Sequence, residues 1–351
     1  MNFDNVNLLP MTCRQSTIAC ALQCPRKWFC QYRLGITLRG GERKDSANLG
    51  TVYHKFQQLG PGKEDEVKKW VMDWQKELMA QVDKGEDLDG NILRTATLLT
   101  DLYNKALVMV KIFWKRFPQP PYFKVLGSEV NHKINVAGLT LEGTIDRILL
   151  NTQDNLVWIR DHKSTGDTIE KIFAGISWSL QGRIYRILVT DYLDKVLGLK
   201  LTTRGFILDG IMFPGIKLCK TDIKNAKDWN ISEEEAYLRR VEEWYDDQME
   251  ATIRSRSMIY NEPLYPDELR ADLGMMKHLE SLGNHPQAYR RDESRNSCYV
   301  FKKTCIYHDL CETNPEQWDG LFDTKYKFVD IIAETKKLND SLELLGNEEE
   351  N

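Results

Sequence analysis

The chain has 351 residues, 42% hydrophobic and 28% charged, which excludes a disordered or membrane-spanning class and leaves enough apolar side chain for a sizeable core. Its formal net charge of -4 provides no bulk attraction for nucleic acid, so any such surface must come from local clusters such as Arg26-Lys27, Arg39 to Lys44, Lys111 to Arg116, Arg183 to Arg186 and Arg290 to Arg295. No apolar run approaches the roughly 18 residues that span a bilayer, and the N-terminus lacks the layout of a secretion signal. A cytoplasmic location is therefore expected, where eight cysteines read as thiols or metal ligands rather than disulfides.

In chain order, residues 16–32 carry apolar positions at helical spacing with Pro25 as a break, and residues 47–59 predict a short helix ended by Gly60-Pro61-Gly62. Two long amphipathic helices follow, 67–82 and 91–117, the second stopped by a proline-rich turn. The period then changes to that of strands over 123–134, 139–150 and 156–163, an antiparallel meander. A helix over 169–193, an interior strand over 204–213 and a helix over 233–253, opened by Ser232 and Glu235 as a capping box, come next. Residues 260–304 read as irregular, and 316–345 as helix. No Pro/Gly/Ser-rich linker divides the chain. The expectation is one domain over 1–340, with a helical insertion at 61–121, a cysteine-rich segment at 296–312 and a disordered acidic tail at 341–351.

The stretch from Leu141 to Thr165 holds the first chemistry. Alternation along a strand puts Asp161 and Lys163 on one face and His162 on the other. A turn centred between Gln153 and Asp154 sets Asp146 opposite Asp161, with Cβ atoms roughly 4.5–5.5 Å apart. Two carboxylates that close repel unless a cation lies between them. A hard divalent ion resolves the repulsion, and Lys163 beside it would stabilise charge on a phosphate under attack. An ordinary salt-bridged pair on a wet sheet face is the other reading.

Further motifs accompany it. Gly143 and Asp146 form G-x-x-D, Asp161 to Lys163 form D-x-K, and Gln181 and Tyr185 form Q-x-x-x-Y on one helix face; upstream stand C-P-R-K-W-F-C from Cys24 and L-G-T-V-Y-H-K around His54. In this order they resemble the PD-(D/E)XK nucleases of the RecB type. The resemblance implies an α/β fold with a restriction-endonuclease-like core: a central mixed sheet flanked by helices, here with a helical insertion. It also implies Mg²⁺ or Mn²⁺ held by His54, Asp146, Asp161 and the backbone carbonyl of His162, with Lys163, Gln181 and Tyr185 completing the catalytic set. DNA would be contacted by Arg26, Lys27, Gln181 and Tyr185. Glu129 corresponds to an acid often found in the family, either beside the ligands or facing solvent.

Cys298, Cys305 and Cys311 share a short polar stretch. In part of the resembled family, late cysteines join an early one, here Cys24, around a [4Fe–4S] cluster. The spacing departs from that pattern, C-x6-C-x5-C in place of C-x2-C-x5-C. Zn²⁺ on these thiolates or with His308, and plain reduced thiols, stay open as alternatives. Cys13, Cys20, Cys30 and Cys219 read as surplus.

The expected function is a metal-dependent DNA exonuclease of the RecB type, acting in recombination, repair or phage DNA processing. An end-processing nuclease of CRISPR spacer acquisition and a non-catalytic nucleic-acid-binding subunit are the alternatives. No Walker-type G-x-x-x-x-G-K-[ST] occurs, so unwinding would fall to a partner helicase or recombination protein.

Overall fold

The computed structural model describes residues 8–38, 45–85, 90–174, 179–260, 265–292, 298–300 and 303–329. The basic cluster at 39–44, Arg295 of another, and the predicted acidic tail lie outside them. The chain forms two compact units, one from residues 1–41, 135–141 and 267–351 and the other from 42–134 and 142–266.

In the first unit, helix Gln15–Gln23 is followed at once by the short helix Pro25–Trp28. Pro25 lacks the N–H a continuous helix would need but suits a first helical turn, so the chain breaks at extended Cys24 and restarts. Strand Ile36–Leu38 pairs antiparallel with Tyr326–Phe328. Tyr307 Oη donates to the Ile36 carbonyl at 2.8 Å, and Trp28, Tyr289, Tyr307, Trp318 and Tyr326 fill the interior. Residues 260–304, expected to be irregular, contain the helix Tyr265–Glu280. Its buried Leu269, Leu273, Met276 and Leu279 recur three and four apart, a signal already present in the sequence. Of the C-terminal helix expected over 316–345, the described residues form Asp319–Thr324, which gives way to the strand Tyr326–Phe328, and residues 330–345 lie outside them.

The second unit begins with three helices, α1 (Asp45–Leu59), α2 (Glu64–Asp83) and α3 (Asn91–Arg116). The hairpin β1 (Phe123–Val136) and β2 (Leu139–Asn151) follows, its tip at 135–141 belonging to the first unit, and then β3 (Leu156–Thr165). After β3 come α4 (Ile169–Phe173), α5 (Leu180–Lys195), β4 (Thr202–Met212), α6 (Lys220–Trp229), α7 (Glu233–Asp247) and β5 (Ile253–Ile259). β1 pairs with β2, and β2, β3, β4 and β5 lie in that order, antiparallel except for the parallel β3–β4 pair, so the sheet is mixed.

Two helices read as continuous in the sequence are divided. The one expected over 169–193 ends at extended Ala174, and Ser179, whose side chain accepts the Gly182 N–H, caps a new one. The one expected over 233–253 stops at Asp247; after one more turn at Met249–Thr252, Ile253 is already extended and pairs in the sheet.

Alternation sorts the sheet into two faces. Phe206 of β4 lies against Tyr185 of α5, and a Cβ on Gly210 would lie 2.8 Å from Phe173 of α4. Odd-numbered Ile211 instead joins Val52, Phe56, Phe113, Val241 and Tyr245 of α1, α3 and α7 in the main apolar core. The proposed insertion helices α2 and α3 thus supply much of that core rather than hanging off it.

On this second face the core holds charge. Arg147 and Arg160 pair across β2 and β3, 8% and 7% exposed. Arg147 donates to the Gln57 carbonyl of α1. Asp209 of β4, 1% exposed, puts Oδ2 at 2.9 Å from Arg160 Nε and 3.2 Å from His162 Nδ1, while Oδ1 accepts from Ser255 Oγ of β5 at 2.5 Å. One carboxylate therefore ties three strands together, and removing it leaves a buried guanidinium unpaired. Asp209→Ala is expected to lower the unfolding free energy by about 3–5 kcal/mol in a urea titration, with Asp209→Asn costing less.

Candidate metal and catalytic centre

The site forms where β2 and β3 stop pairing. The register runs from Asn151↔Leu156 to Arg147↔Arg160, as the turn predicts, and Asp146 and Asp161 come next along it. At that point the Asp146 side chain replaces the ladder, Oδ2 accepting the His162 N–H at 2.8 Å. The strand ends are held open by a carboxylate, and its remaining lone pairs are left for other partners.

Two glycines let the helices approach. A Cβ on Gly143 would lie 3.0 Å from Tyr185 Cε1 and 3.1 Å from Leu188 Cδ1, and one on Gly50 would lie 3.2 Å from Ser164 Oγ. Both small positions of the sequence motifs thus mark close packing of a helix on the sheet. α1 brings in His54, whose Nδ1 is 3.6 Å from Asp146 Oδ2. α5 brings in Gln181, whose Nε2 lies 2.8 Å from Asp161 Oδ1 and 2.9 Å from Tyr185 Oη, while Tyr185 donates to the Thr144 carbonyl at 2.5 Å. Lys163 Nζ sits 3.0 Å from Asp161 Oδ1 and 2.8 Å from Oδ2. The His162 side chain points into the core, edge-on to Phe113.

Glu129 is the residue whose part the sequence left open. Its φ of +51° is a left-handed conformation in the middle of β1, rare for a residue with a Cβ. Such a kink re-aims a side chain out of the strand's alternation. One ligand atom each from His54, Glu129 and Asp146 all fall within 4.8 Å of one another. An imidazole nitrogen and carboxylate oxygens converging in this way suit Mn²⁺ or Mg²⁺, and Asp161 stands directly opposite Asp146 to add a further oxygen.

The electrostatics describe a site short of positive charge. Burial, then the Asp146 charge, pushes Glu129 up to about 7. Burial raises Asp161 to about 6, with Lys163 pulling the other way, and Asp146 is raised for the same first reason. Burial and Lys163 lower His54 to about 4, leaving a neutral imidazole able to ligate. Lys163 itself is raised, because attraction from Asp161 and Asp146 outweighs its burial. Burial chiefly, then the carboxylates, raises Tyr185, which stays a donor.

The cysteines of interest lie in the first unit. Cys24 is buried, and its Sγ accepts the Lys27 N–H at 3.4 Å. The Cys305 N–H bonds the Cys298 carbonyl at 2.7 Å, and the Cys311 N–H bonds the Tyr307 carbonyl at 3.0 Å. Burial pushes the Cys311 thiol up to about 11 against the pull of Arg26 and Arg291, with Cys24 and Cys305 also in range. His308 faces Asp309, Nδ1 to Oδ1 3.8 Å.

Arg26 is not where a nucleic-acid phosphate would meet it. It is 6% exposed, its Nε donates to the Tyr289 carbonyl at 2.9 Å, and the charged or thiol groups acting on it are Cys311, Cys30, Arg291 and Cys24. The expected DNA contact by Arg26 is corrected on that ground, since the side chain is interior, while Lys27 beside it is half-buried. A buried guanidinium surrounded by sulfur suits a site where those thiols become thiolates around a metal. Cys30, read as surplus, belongs to the same neighbourhood.

A family model of the PD-(D/E)XK nuclease superfamily matches residues 15–312. Among solved structures, a Eubacterium rectale protein provisionally assigned as an exonuclease is 13% identical over 85% of this chain and 92% of that chain, with a TM-score of 0.43. A Vibrio cholerae protein is 11% identical over 62% of this chain and 59% of that chain, with a TM-score of 0.17. These two likenesses are too slight to carry an argument, and no curated protein matches the chain.

Asp161 and Glu129 bind protons more tightly in the folded protein than in the unfolded chain. Stability from that source is full below the ordinary carboxylate range and is lost as pH rises through about 6 and about 7. Chelator-treated protein is therefore expected to melt at lower temperature as pH rises from about 5 to about 8, with added Mg²⁺ or Mn²⁺ raising the melting temperature most at the upper end. A metal-induced shift that does not grow with pH would contradict this ligand set.

Proposed function

We propose that this chain, which belongs to the PD-(D/E)XK nuclease superfamily, is a metal-dependent deoxyribonuclease, most closely of the RecB-like exonuclease kind. Membership supports a hydrolase acting on nucleic acid. The observation that carries the reading is the convergence of His54, Glu129, Asp146, Asp161 and Lys163 at the open end of β2 and β3.

His54, Glu129, Asp146, Asp161 and the carbonyl of His162 would hold Mg²⁺ or Mn²⁺. When bound, the cation supplies a Lewis acid that makes water a nucleophile at neutral pH and offsets phosphate charge. Lys163, kept an ammonium by its two carboxylates, neutralises charge developing on the phosphate rather than taking a proton. Gln181 fixes the orientation of Asp161 and of Tyr185 through two hydrogen bonds, and Tyr185, anchored on Thr144, keeps α5 against the strands. Gln181 would also contact the DNA backbone.

The family match spans parts of both units, which supports treating 1–340 as one nuclease domain with 61–121 as an elaboration. DNA as substrate, a cytoplasmic setting, and a helicase or recombination partner belong to the same reading. Replacement of Asp161 or Lys163 by Ala is expected to reduce Mg²⁺- or Mn²⁺-dependent cleavage of end-labelled linear DNA by about 100-fold or more. Intact protein that leaves linear and circular DNA untouched with either metal would sink the proposal.

Cys24, Cys298, Cys305 and Cys311 would hold a [4Fe–4S] cluster, a reading supported by the burial of Arg26 and by Cys311, Cys30 and Cys24 among the groups that act on it. Anaerobically purified protein is expected to absorb broadly near roughly 400 nm and to contain iron, and Cys311→Ser to lose both. Zinc without colour would favour the Cys₄ zinc alternative, and neither metal would leave plain thiols.

A further inference from the structure

Strand pairing carries the site's face of the sheet sideways, beyond the residues already assigned. Asp161 pairs with Leu208 and Lys163 with Gly210, and these pair in turn with Arg256 and Arg254 of β5. Directly opposed residues share a face, so both arginines stand on the face of Asp161 and Lys163, two strand spacings or roughly 10 Å away. Gly210, between them and Lys163, has no side chain, and Phe173 of α4 packs over it.

Both guanidiniums lie over that one ring, Arg254 at 5.7 Å and Arg256 at 5.5 Å from its centroid. Two cations sharing a platform repel, and the ring alone offsets little of that. Arg254 Nη2 has Glu170 at 3.1 Å, a carboxylate 65% exposed and weakened by solvent. Arg256 is exposed and forms no ion pair among the described residues. The aromatic support limits the wandering of long side chains, and planar guanidiniums match phosphate oxygens. Sequence order hides the pair, since R-x-R in I-R-S-R-S-M-I acquires meaning only from the strand register.

We propose that Arg254 and Arg256, propped on Phe173, form a phosphate-binding subsite for the nucleic-acid strand being cut, an inference that rests on the nuclease reading of Asp146, Asp161 and Lys163. Roughly 10 Å corresponds to about three nucleotides of rise in a B-form strand, so the phosphates held lie a few nucleotides from the scissile one. The subsite would fix the strand in register with the metal ligands without reading bases.

Fluorescence anisotropy with an end-labelled DNA oligonucleotide at several salt concentrations tests this in the full chain, beside turnover of bis(p-nitrophenyl) phosphate, which has no flanking phosphates. Arg254→Ala/Arg256→Ala is expected to weaken DNA binding by about tenfold or more and to flatten the slope of log affinity against log salt by about two. Turnover of the small diester stays unchanged. The single Arg256→Ala, at an exposed position, should show about half the slope change and guards against misfolding of the double variant. Unchanged affinity and slope overturn the subsite, as does weaker binding with an unchanged slope or an equal loss on the small diester. Failure of the nuclease reading shows separately, as absence of cleavage by the intact chain, while the binding measurement still reports on the arginines.

Discussion

The buried carboxylate of Asp209 is the interaction on which the site's geometry rests. β3 has two working sides. One presents Asp161 and Lys163; the other presents Arg160 and His162 to Asp209. Because Asp209 also accepts a hydrogen bond from Ser255, the backbone that aims the site residues is tied through β4 to β5 by ion-pair contacts and one hydrogen bond at 1% solvent exposure, where competition from water is slight. A strand carrying acids at one end of its pairing would otherwise be free to fray. Here its underside is tied down.

Above that support the protein stores unfavourable electrostatics. Three carboxylates and an imidazole meet one ammonium, and burial raises the acids toward neutrality. Such an arrangement costs folding free energy without a cation, a cost that a bound cation would offset. The cysteine neighbourhood of the first unit shows the opposite sign of the same imbalance: a buried guanidinium, Arg26, with sulfur rather than carboxylate around it. In both places the charge that would complete the set is one a metal centre can provide.

Much of this was legible from residue order. The β2–β3 register followed from the turn, because the period of two leaves no freedom once one face must be apolar, and it set Asp146 across from Asp161. The spacing of four in Gln181 and Tyr185 sufficed to put both on the site side of α5. The interior strand over 204–213 was legible too, although the part played by Asp209 within it was not. Other features were not available. A left-handed residue at Glu129 shifts β1's alternation by local backbone geometry, and nothing in the strand's composition requires it. Arg26 reads as one of a basic pair that would meet DNA, yet it is buried and donates to the Tyr289 carbonyl, far along the chain. The helix end at Asp247 precedes the residues that the sheet takes up from Ile253, and the helix over 169–193 is cut by a restart at the Ser179 cap, outcomes that override local periodicity.

The sequence by itself determined the hairpin, its facing acids and the motif series, since these depend on periodicity and on spacings of a few residues; the mixed α/β class came through the family those motifs resemble. Tertiary structure alone decided that Glu129 joins His54 and Asp146, that Asp209 underpins β3, and that Arg26 is interior while Arg254 and Arg256 share the face of Asp161 and Lys163. The physical reason is range: backbone periodicity acts within one element, whereas burial and charge depend on neighbours that the chain brings together from tens to hundreds of residues away.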